Sequence, residues 1–282
     1  MLGKNETVSS VTQKLHSCQL LLAEELKRIC DNNGIKYFMI AGTLLGAVRH
    51  KGFIPWDDDM DFAIMRKDYG RFLEACKNEL GEKFLLQEMF ADENYALPMA
   101  KLLLKNTKLV ERTTAKNKAI KGIYIDVFPY DSIPDDENLR KKHSRNLYFL
   151  KRLFLAKQNY KISEKGQFVK SVVYTVLKFI SLFVNKSFLR NRLEKELCLY
   201  ANEKTEKVAA IGGAYSYNKE SVKRIWFSET VDLPYENTVF PAPKNYIEYL
   251  SYFYGDYMTP PPEDKRENRH NVVELDFGPY DS

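Results

Sequence analysis

The chain has 282 residues, of which 44% are hydrophobic and 29% are charged; this length and composition exclude a disordered or fibrous protein and allow a full hydrophobic core. Its four cysteines lie far apart and without metal-ligand spacing, so we expect reduced thiols rather than a disulfide framework or a zinc site. The N-terminal residues lack the apolar segment of a signal peptide, and we therefore expect a cytoplasmic protein.

The net charge of +5 is distributed unevenly along the chain. Residues 139–190 contain thirteen Lys or Arg and one acid, Glu164, so this segment carries +12 and the remainder carries −7. Such a segment indicates an anionic partner, either nucleic acid or a membrane surface. We expect no nucleic-acid partner, because the segment has no recognition motif and the rest of the chain is acidic.

The first half of the chain predicts an α/β (α+β) fold with a mixed sheet. Apolar residues recur every three or four positions through residues 8–32, which is typical of an amphipathic helix. A buried strand, a short helix, a second strand and a second helix are predicted at residues 35–41, 43–48, 59–65 and 67–80. Four further strands of the same sheet are predicted at residues 84–89, 97–104, 108–113 and 122–128. No dinucleotide-binding or Walker A glycine motif is present.

The sequence Pro134-Asp-Asp-Glu137 marks a predicted boundary, after which the composition becomes helical and basic. We expect a catalytic core at residues 1–135, a basic helical subdomain at 136–205 and a C-terminal segment at 206–282 that completes the active site. Residues 168–190 predict an apolar helix whose narrow polar stripe consists of Ser171, Tyr174, Lys178, Ser181 and Asn185. Two interpretations remain open, a core helix of the subdomain or a helix that lies in a membrane interface.

The C-terminal segment predicts short strands at residues 208–211 and 230–233 and one helix near residues 244–253. Five tyrosines fall close together in this region: Tyr246, Tyr249, Tyr252, Tyr254 and Tyr257. Such rings can form a cation–π cage for a quaternary ammonium group, or they can simply pack with their hydroxyls at the surface. Four basic residues follow a Pro-Pro-Pro sequence and either reach substrate phosphates or remain solvated: Lys265, Arg266, Arg269 and His270.

Four carboxylates occur within five positions, at Asp57, Asp58, Asp59 and Asp61. Side chains alternate along a strand, so Asp59 and Asp61 should share a face while Met60 and Phe62 point into the core. Two carboxylates on one face repel unless a cation lies between them, and hard oxygen ligands suit Mg²⁺ or Mn²⁺. The alternative is a solvated acidic turn that caps a helix.

Two further features support a metal and phosphate site. Asp126 lies alone inside the apolar run from Gly122 to Pro129, where a buried and unpaired acid would be costly without a cation. Gly42 and Thr43 follow a predicted strand and precede a helix, and a glycine at such a turn lets backbone N–H groups approach a phosphate.

Several of these motifs together resemble the LicD family. They are Gly42-Thr43, Arg49-His50, the block Gly-Phe-Ile-Pro-Trp-Asp-Asp-Asp-Met-Asp from Gly52 to Asp61, and Ile-Asp-Val-Phe-Pro from Ile125 to Pro129. The tail from Tyr254 to Arg266 is also similar to that family. The family is a branch of the polymerase-β-like nucleotidyltransferase superfamily; it includes bacterial phosphocholine transferases and is related to the ribitol-phosphate transferases of the fukutin group.

The resemblance implies a polymerase-β-like mixed sheet and transfer of phosphocholine, or a similar phospho-alcohol, from a CDP-alcohol such as CDP-choline. The implied acceptor is a sugar hydroxyl of a lipid-linked glycan precursor such as teichoic acid. Asp59, Asp61 and Asp126 would hold the Mg²⁺ or Mn²⁺, with Asp126 as a possible base, and Arg49 would stabilise the transferred phosphate. The implied substrate-binding residues are Gly42, Thr43, His50, Lys51, Asp58, Lys101, Lys265 and Arg266.

Two alternatives remain open from the sequence. The same acids could serve a nucleotidyltransferase that uses a nucleoside triphosphate and releases pyrophosphate. The fold could also be retained by a glycan-binding or membrane-binding module without turnover, although the complete set of acids argues against this. For residues 139–190 we expect peripheral contact with the anionic inner face of the cytoplasmic membrane.

Overall fold

The first helix, α1 (Ser10–Asn32), illustrates how the local sequence determines an element. The computed structural model describes residues 9–160, 168–266 and 271–281. The Ser9 side chain caps α1 by accepting from Thr12 N at 3.1 Å. Leu22, Leu26 and Ile29 recur on one face and are completely buried. The helix predicted for residues 8–32 is therefore confirmed within the described residues.

Alternating helices and strands continue from α1, as predicted. They are β1 (Tyr37–Met39), α2 (Ala41–Arg49), β2 (Asp61–Met65), α3 (Arg66–Glu79), β3 (Phe84–Gln87), β4 (Ala100–Leu104), β5 (Lys108–Glu111) and β6 (Tyr124–Ile133). The bounds differ from the predicted ones by a few residues at most ends. The exception is β6, which continues five residues beyond its predicted end at residue 128.

The central sheet has the strand order β1-β2-β6-β4-β3, and β6 also pairs with β7 (Lys207–Ala209) farther along. Its β2–β6 pair is parallel and the other pairs are antiparallel, so the predicted mixed sheet is confirmed. On one edge β6 contacts β4 through residues 124–127 and β7 through residues 131–133. Pro129 lies between these two pairings, where its missing N–H removes no ladder bond on that edge.

One predicted strand of the central sheet belongs elsewhere. β5 pairs with the C-terminal strand β11 (Val272–Asp276) in a separate antiparallel ribbon. The ion pair of Lys108 with Glu274 at 2.6 Å joins the two strands. The prediction that residues 108–113 join the same mixed sheet was wrong, because the partner strand lies about 165 residues away and leaves no local signal.

Three helices form a layer beside the sheet: α4 (Glu137–Lys157), α5 (Phe168–Leu182) and α6 (Lys186–Leu197). They surround a second hydrophobic core that includes Leu147, Phe154 and Leu193. Arg66 ties this layer to the sheet, since its guanidinium contacts Asp131 of β6 at 3.1 Å and Glu194 of α6 at 3.4 Å.

The helix predicted for residues 168–190 is divided in the structure. α5 ends at Leu182, and Asn185 caps α6 by accepting from Phe188 N at 3.2 Å. Among the described residues no single helix is long and apolar enough to cross a membrane. Residues Ser171–Leu182 and Lys186–Leu197 reach that length and hydrophobicity only as a pair bent by 113°.

The remaining helices and strands belong to the C-terminal part of the chain. They are α7 (Tyr217–Glu220), β8 (Ser221–Lys223), which pairs with β7, the hairpin of β9 (Thr230–Tyr235) with β10 (Thr238–Pro243), and α8 (Tyr246–Tyr254). The predicted strands near residues 208–211 and 230–233 and the helix near residues 244–253 are thus present. α8 packs beside α2, whose Thr43 contacts the acidic segment at Asp61.

Candidate functional site

The acidic block leads into β2, directly beside the acid of β6. Asp61 and Asp126 are paired positions of the parallel strands, and Asp126 N donates to Met60 O at 2.9 Å. Paired residues of neighbouring strands project to the same face of a sheet. Met60 and Phe62 are fully buried, as the alternation predicted. Asp59, Asp61 and Asp126 all line one cavity.

Asp126 is buried, but the expectation that it would be unpaired was wrong. Lys101, at the paired position on the other side of β6, has its Nζ 2.9 Å from Asp126 Oδ1. The same ammonium lies 3.0 Å from the centroid of the Tyr124 ring. A lysine on the neighbouring antiparallel strand therefore compensates the buried carboxylate, and it also brings a positive charge to the cavity wall.

Within the described residues, one group of three carboxylates has ligand atoms within 4.8 Å of one another: Asp57, Asp58 and Asp59. α1 holds their backbone, since His16 Nε2 donates to Asp57 O at 2.8 Å and Gln19 Nε2 donates to Asp58 O at 2.7 Å. Carboxylate oxygens are the ligands that hard divalent cations prefer. The donor set at the entry to β2 therefore suits such an ion.

The start of α2 positions the acidic segment. The Thr43 hydroxyl accepts from Asp61 N at 2.7 Å, and Thr43 itself is buried. A Cβ built on Gly42 would lie 2.5 Å from Asp57 Oδ2, so only glycine allows this carboxylate to approach the helix. Ala41 has a φ of +46°, an uncommon value for a residue other than glycine, and its N–H donates to the Tyr249 hydroxyl at 3.3 Å.

A basic cluster forms beyond the acidic segment. Arg49 donates to Tyr257 O at 3.0 Å, and the Arg266 guanidinium lies 4.9 Å from the centroid of the Trp56 ring. Burial and then the Arg266 charge lower the pKa of Arg49. Burial, with Arg49 and Arg266 nearby, lowers the pKa of His50 to about 4, so its imidazole is neutral at pH 7. Two guanidiniums in one half-buried place favour an anionic ligand.

The other predicted basic residues lie apart from this cluster. Lys51 is exposed and donates to Val48 O at the end of α2. Lys265 is exposed in a short 3₁₀ turn (Glu263–Lys265). Arg269 and His270 lie outside the described residues. The structure thus brings together Arg49, His50 and Arg266, and it brings Lys101 to the carboxylates.

The cavity beside the carboxylates has a volume of about 510 Å³. Part of its wall comes from α4, which contributes Lys151, Arg152 and Leu155, and from the turn after β7, which contributes Gly212 and Gly213. Lys151 Nζ donates to Ile211 O at 2.8 Å, and burial lowers its pKa. A cavity of this size with acids at one side and basic groups at another can hold a charged ligand that carries phosphate.

Sequence reasoning missed Glu220, which lines the same cavity and is buried. Its Oε1 accepts from Tyr215 N at 3.1 Å, and a side chain at Gly213 would overlap its carboxylate. Burial raises the pKa of Glu220 to about 7, against the opposing effects of the Tyr215 N–H and the Lys151 charge. The sequence from Asn218 to Glu220 resembles an ordinary helical turn, so it gave no indication that Glu220 would line the cavity.

The tyrosines of the C-terminal segment have different environments. Tyr249 lines the cavity together with Phe253 and Tyr215; the Tyr249 and Phe253 centroids are 4.7 Å apart, and those of Tyr215 and Phe253 are 5.7 Å apart. Tyr252 instead donates to Asn218 O and has the Lys219 ammonium 4.6 Å from its ring centroid. The aromatic wall next to Glu220 therefore uses one tyrosine of the predicted group and two residues outside it.

Comparison with known families gives a match for this half of the chain. A family model described as LicD/FKTN/FKRP, nucleotidyltransferase domain, matches residues 34–168. The matched range includes β1 through β6 and α4, and with them the acidic block, Asp126, Arg49 and Lys101.

Three relatives differ in how much of the chain they match. The lipopolysaccharide cholinephosphotransferase LicD of Haemophilus influenzae is 29% identical over 254 residues, which cover 86% of this chain and 89% of that protein. An uncharacterized protein of Rickettsia prowazekii is 51% identical over 47 residues, 17% of this chain and 18% of that protein. The human ribitol 5-phosphate transferase FKRP is 49% identical over 53 residues, 19% of this chain and 11% of that protein.

Proposed function

Since this chain belongs to the LicD family, as its motifs predicted, we propose that it is a phosphotransferase that moves phosphocholine or a similar phospho-alcohol. The donor is a CDP-alcohol, with CDP-choline as the first to test, and the acceptor is a sugar hydroxyl of a lipid-linked glycan precursor such as teichoic acid. The observation that supports this most strongly is that Asp59, Asp61 and Asp126 line one cavity, which also has basic groups in its wall.

A divalent cation, Mg²⁺ or Mn²⁺, fits the residues at the entry to β2. We propose Asp59 and Asp61 as its ligands, with Asp126 as a further ligand. Asp57 and Asp58, whose ligand atoms lie within 4.8 Å of that of Asp59, are proposed as supporting acids. When bound, such an ion supplies charge stabilisation for the diphosphate of the donor. The Lys101 ammonium, 2.9 Å from Asp126 Oδ1, compensates the charge of that carboxylate in the structure.

The reaction requires one bond to form and one to break. The acceptor hydroxyl oxygen attacks the phosphorus that carries the alcohol, the bond from that phosphorus to the CMP oxygen breaks, and CMP leaves with the bonding electrons. The proton of the hydroxyl passes to a carboxylate, for which Asp126 is our candidate because it lines the cavity. Negative charge increases on the transferred group, so preorganised cations near it accelerate the step.

The basic cluster is suited to the phosphates of the donor. Arg49 and Arg266 present planar guanidiniums that bind phosphate in a bidentate manner. Neutral His50 can donate a hydrogen bond without adding a third charge. Gly42 and Thr43 have a structural role instead. Gly42 leaves room for the Asp57 carboxylate, and the Thr43 hydroxyl accepts from Asp61 N. Lys51 and Lys265, which are exposed, remain candidates for contacts with an extended substrate.

We further propose that the headgroup of the donor lies against Tyr249, Phe253 and Tyr215, with the Glu220 carboxylate beside it. Aromatic faces and a carboxylate are the groups that attract a quaternary ammonium ion. A ribitol or glycerol headgroup would instead use hydrogen bonds to Glu220. The enzyme would work on the inner face of the cytoplasmic membrane, where a lipid-linked acceptor is presented.

The products distinguish this function from its main alternative. We expect release of CMP from CDP-choline in the presence of Mg²⁺ and an acceptor glycan, and no release of pyrophosphate from a nucleoside triphosphate. Parallel assays with CDP-ribitol and CDP-glycerol identify the headgroup. Release of pyrophosphate with transfer of a nucleotide would replace the proposal by nucleotidyl transfer, and no product from any donor would favour a binding module.

The carboxylates provide the second test. Asp59→Asn and Asp61→Asn should each reduce turnover by at least about a hundredfold, since either change removes a charged ligand from the metal and phosphate site. Asp232→Asn, on the exposed strand β9, is the matched control and should retain activity. Circular dichroism checks that all three variants fold. Near-normal turnover in either of the first two variants would contradict the metal site.

A further inference from the structure

Helix α5 exposes many of its apolar side chains, whereas an ordinary helix of a globular protein buries them. The side chains of Leu177 and Ser181 are buried, and Ser181 is completely inaccessible. In contrast, Phe179 and Leu182 are each 62% exposed, and Phe183, just beyond the helix, is 78% exposed. Val172, Val173 and Val176 extend the same apolar surface toward the start of the helix and are also exposed. A contiguous apolar patch of this kind marks an interaction surface.

Hydrogen bonds hold the helix in this orientation. Lys178 Nζ donates to Ala156 O at 3.0 Å and to Asn159 Oδ1 at 2.5 Å, both at the end of α4. In the opposite direction, Lys157 Nζ donates to Ser181 O at 2.7 Å. A rotation of α5 that buried its apolar side would break these three bonds and would leave two lysines near the core. The middle of the polar stripe, at Tyr174, Lys178 and Ser181, therefore faces the protein, whereas Ser171 and Asn185 at its two ends are exposed.

We propose that the apolar face of α5, continued by Phe183 and Phe188, inserts into the interface of an anionic phospholipid bilayer. An amphipathic helix that lies in the membrane plane buries such a face among the lipid headgroups and acyl chains. The charge of the surrounding segment complements this partner, because residues 139–190 carry +12 and anionic headgroups attract Lys and Arg. Exposed Lys141, Lys142 and Arg145 on α4 belong to the same helical layer.

A second copy of the chain is a less suitable occupant of this face. In a two-fold symmetric dimer each copy would present the same patch, which would bring two segments of charge +12 together. Like charges oppose such an association, whereas an anionic lipid surface neutralises them. The observed charge therefore favours the bilayer.

The position of α4 connects this surface with the cavity. Lys151 and Arg152 of α4 line the cavity, and Lys157, one to two turns farther along the same helix, contacts α5. Contact of α5 with a bilayer would therefore hold the cavity close to the membrane. If the proposed function holds, a lipid-linked acceptor would reach the cavity without leaving the bilayer; the docking itself does not depend on that function.

The test is co-sedimentation of the full chain with vesicles of pure phosphatidylcholine and of an equimolar mixture with phosphatidylglycerol. We expect binding to the anionic vesicles at low salt, with weaker binding at high salt. The double variant Phe179→Asp/Phe183→Asp should reduce the partition coefficient by at least about tenfold, because it removes apolar area and adds negative charge. Ile225→Asp/Val273→Asp, which changes two exposed apolar residues elsewhere, is the matched control and should bind like the wild type.

Two results would overturn the proposal. One is equal absence of binding to both vesicle types by a folded wild-type chain. The other is a wild-type oligomer, measured by light scattering, that the Phe179→Asp/Phe183→Asp variant converts to a monomer without any loss of vesicle binding. Thermal melts check that both double variants fold. CMP release with a water-soluble acceptor should be the same in wild type and variant, so failure of docking can be distinguished from failure of the enzymatic function.

Discussion

Glu220 combines burial, an aromatic neighbourhood and a raised pKa of about 7 at a single position. Because its pKa is raised from 4.5, the Glu220 carboxyl group keeps its proton to a higher pH in the native state than in the unfolded state. Stability therefore falls as the pH rises from about 4.5 through about 7, by at most about 3 kcal/mol.

Glu220→Gln should remove this pH-dependent penalty, because glutamine does not titrate and its amide oxygen can still accept from Tyr215 N. We expect the variant to gain stability relative to the wild type between pH 5 and pH 8. Urea unfolding at several pH values measures the difference, with the exposed Glu248→Gln as the control. A difference that does not change with pH would contradict the raised pKa.

Thr43 is a positioning residue whose hydroxyl holds the backbone of Asp61. Thr43→Val keeps the shape but leaves the Asp61 N–H without this acceptor, which should cost about 1–3 kcal/mol in the free energy of unfolding and lower kcat. Thr43→Ser retains the hydroxyl and should remain close to the wild type in both measurements. If valine and serine behaved alike, the bond would have no part in positioning Asp61.

The acids themselves were predictable, whereas their partners were not. The alternation of side chains along a strand predicted that Met60 and Phe62 would be buried and that Asp59 and Asp61 would share the other face. In the structure both apolar side chains are buried. Lys101 and Asp126 are 25 residues apart and meet only because β4 and β6 pair in one particular register. Register depends on how whole strands pack, so a local pattern cannot reveal such a pair.

Between elements, the ion pair of Arg66 with Asp131 joins α3, β6 and α6. Asp131 is completely buried, so Arg66→Met would leave a carboxylate without its partner in the interior. We expect a loss of about 3–5 kcal/mol in the free energy of unfolding. The double variant Arg66→Met/Asp131→Leu removes both charges and should recover much of this loss. Equal stability of the single and double variants would show that the unpaired Asp131 carboxylate is not the cause of the loss.

Helix α5 shows how far the prediction of elements could go. Its apolar composition and its polar stripe at Tyr174, Lys178 and Ser181 were both evident in the sequence. The sequence did not show which side of the helix faces the protein, because core and interface helices have the same periodicity. The hydrogen bonds of Lys178 and Lys157 between α5 and the end of α4 show which side faces the protein. The pairing of β5 with β11 was undetectable for a related reason, since the two strands are far apart in the chain.

At the scale of the whole molecule, two hydrophobic cores share strand β6. Asp126 and Asp131 lie an odd number of residues apart on this strand, so they project from opposite faces. The first lines the cavity with the carboxylates, and the second binds Arg66, which also contacts Glu194 of the helical layer. Strand β6 therefore contributes both to the acidic site and, through Arg66, to the attachment of the basic helical layer.

The two-part pairing of β6 also determines the order in which the chain can fold during synthesis. Asp126 pairs with Asp61, which is made 65 residues earlier, but Asp131 pairs with Ala209, which is made 78 residues later, after all three helices of the layer. Contacts of such long separation in sequence form slowly. A nascent chain that pauses near residue 200 therefore keeps the strand edge at residues 131–133 without its partner β7, and such an open edge favours association with other chains.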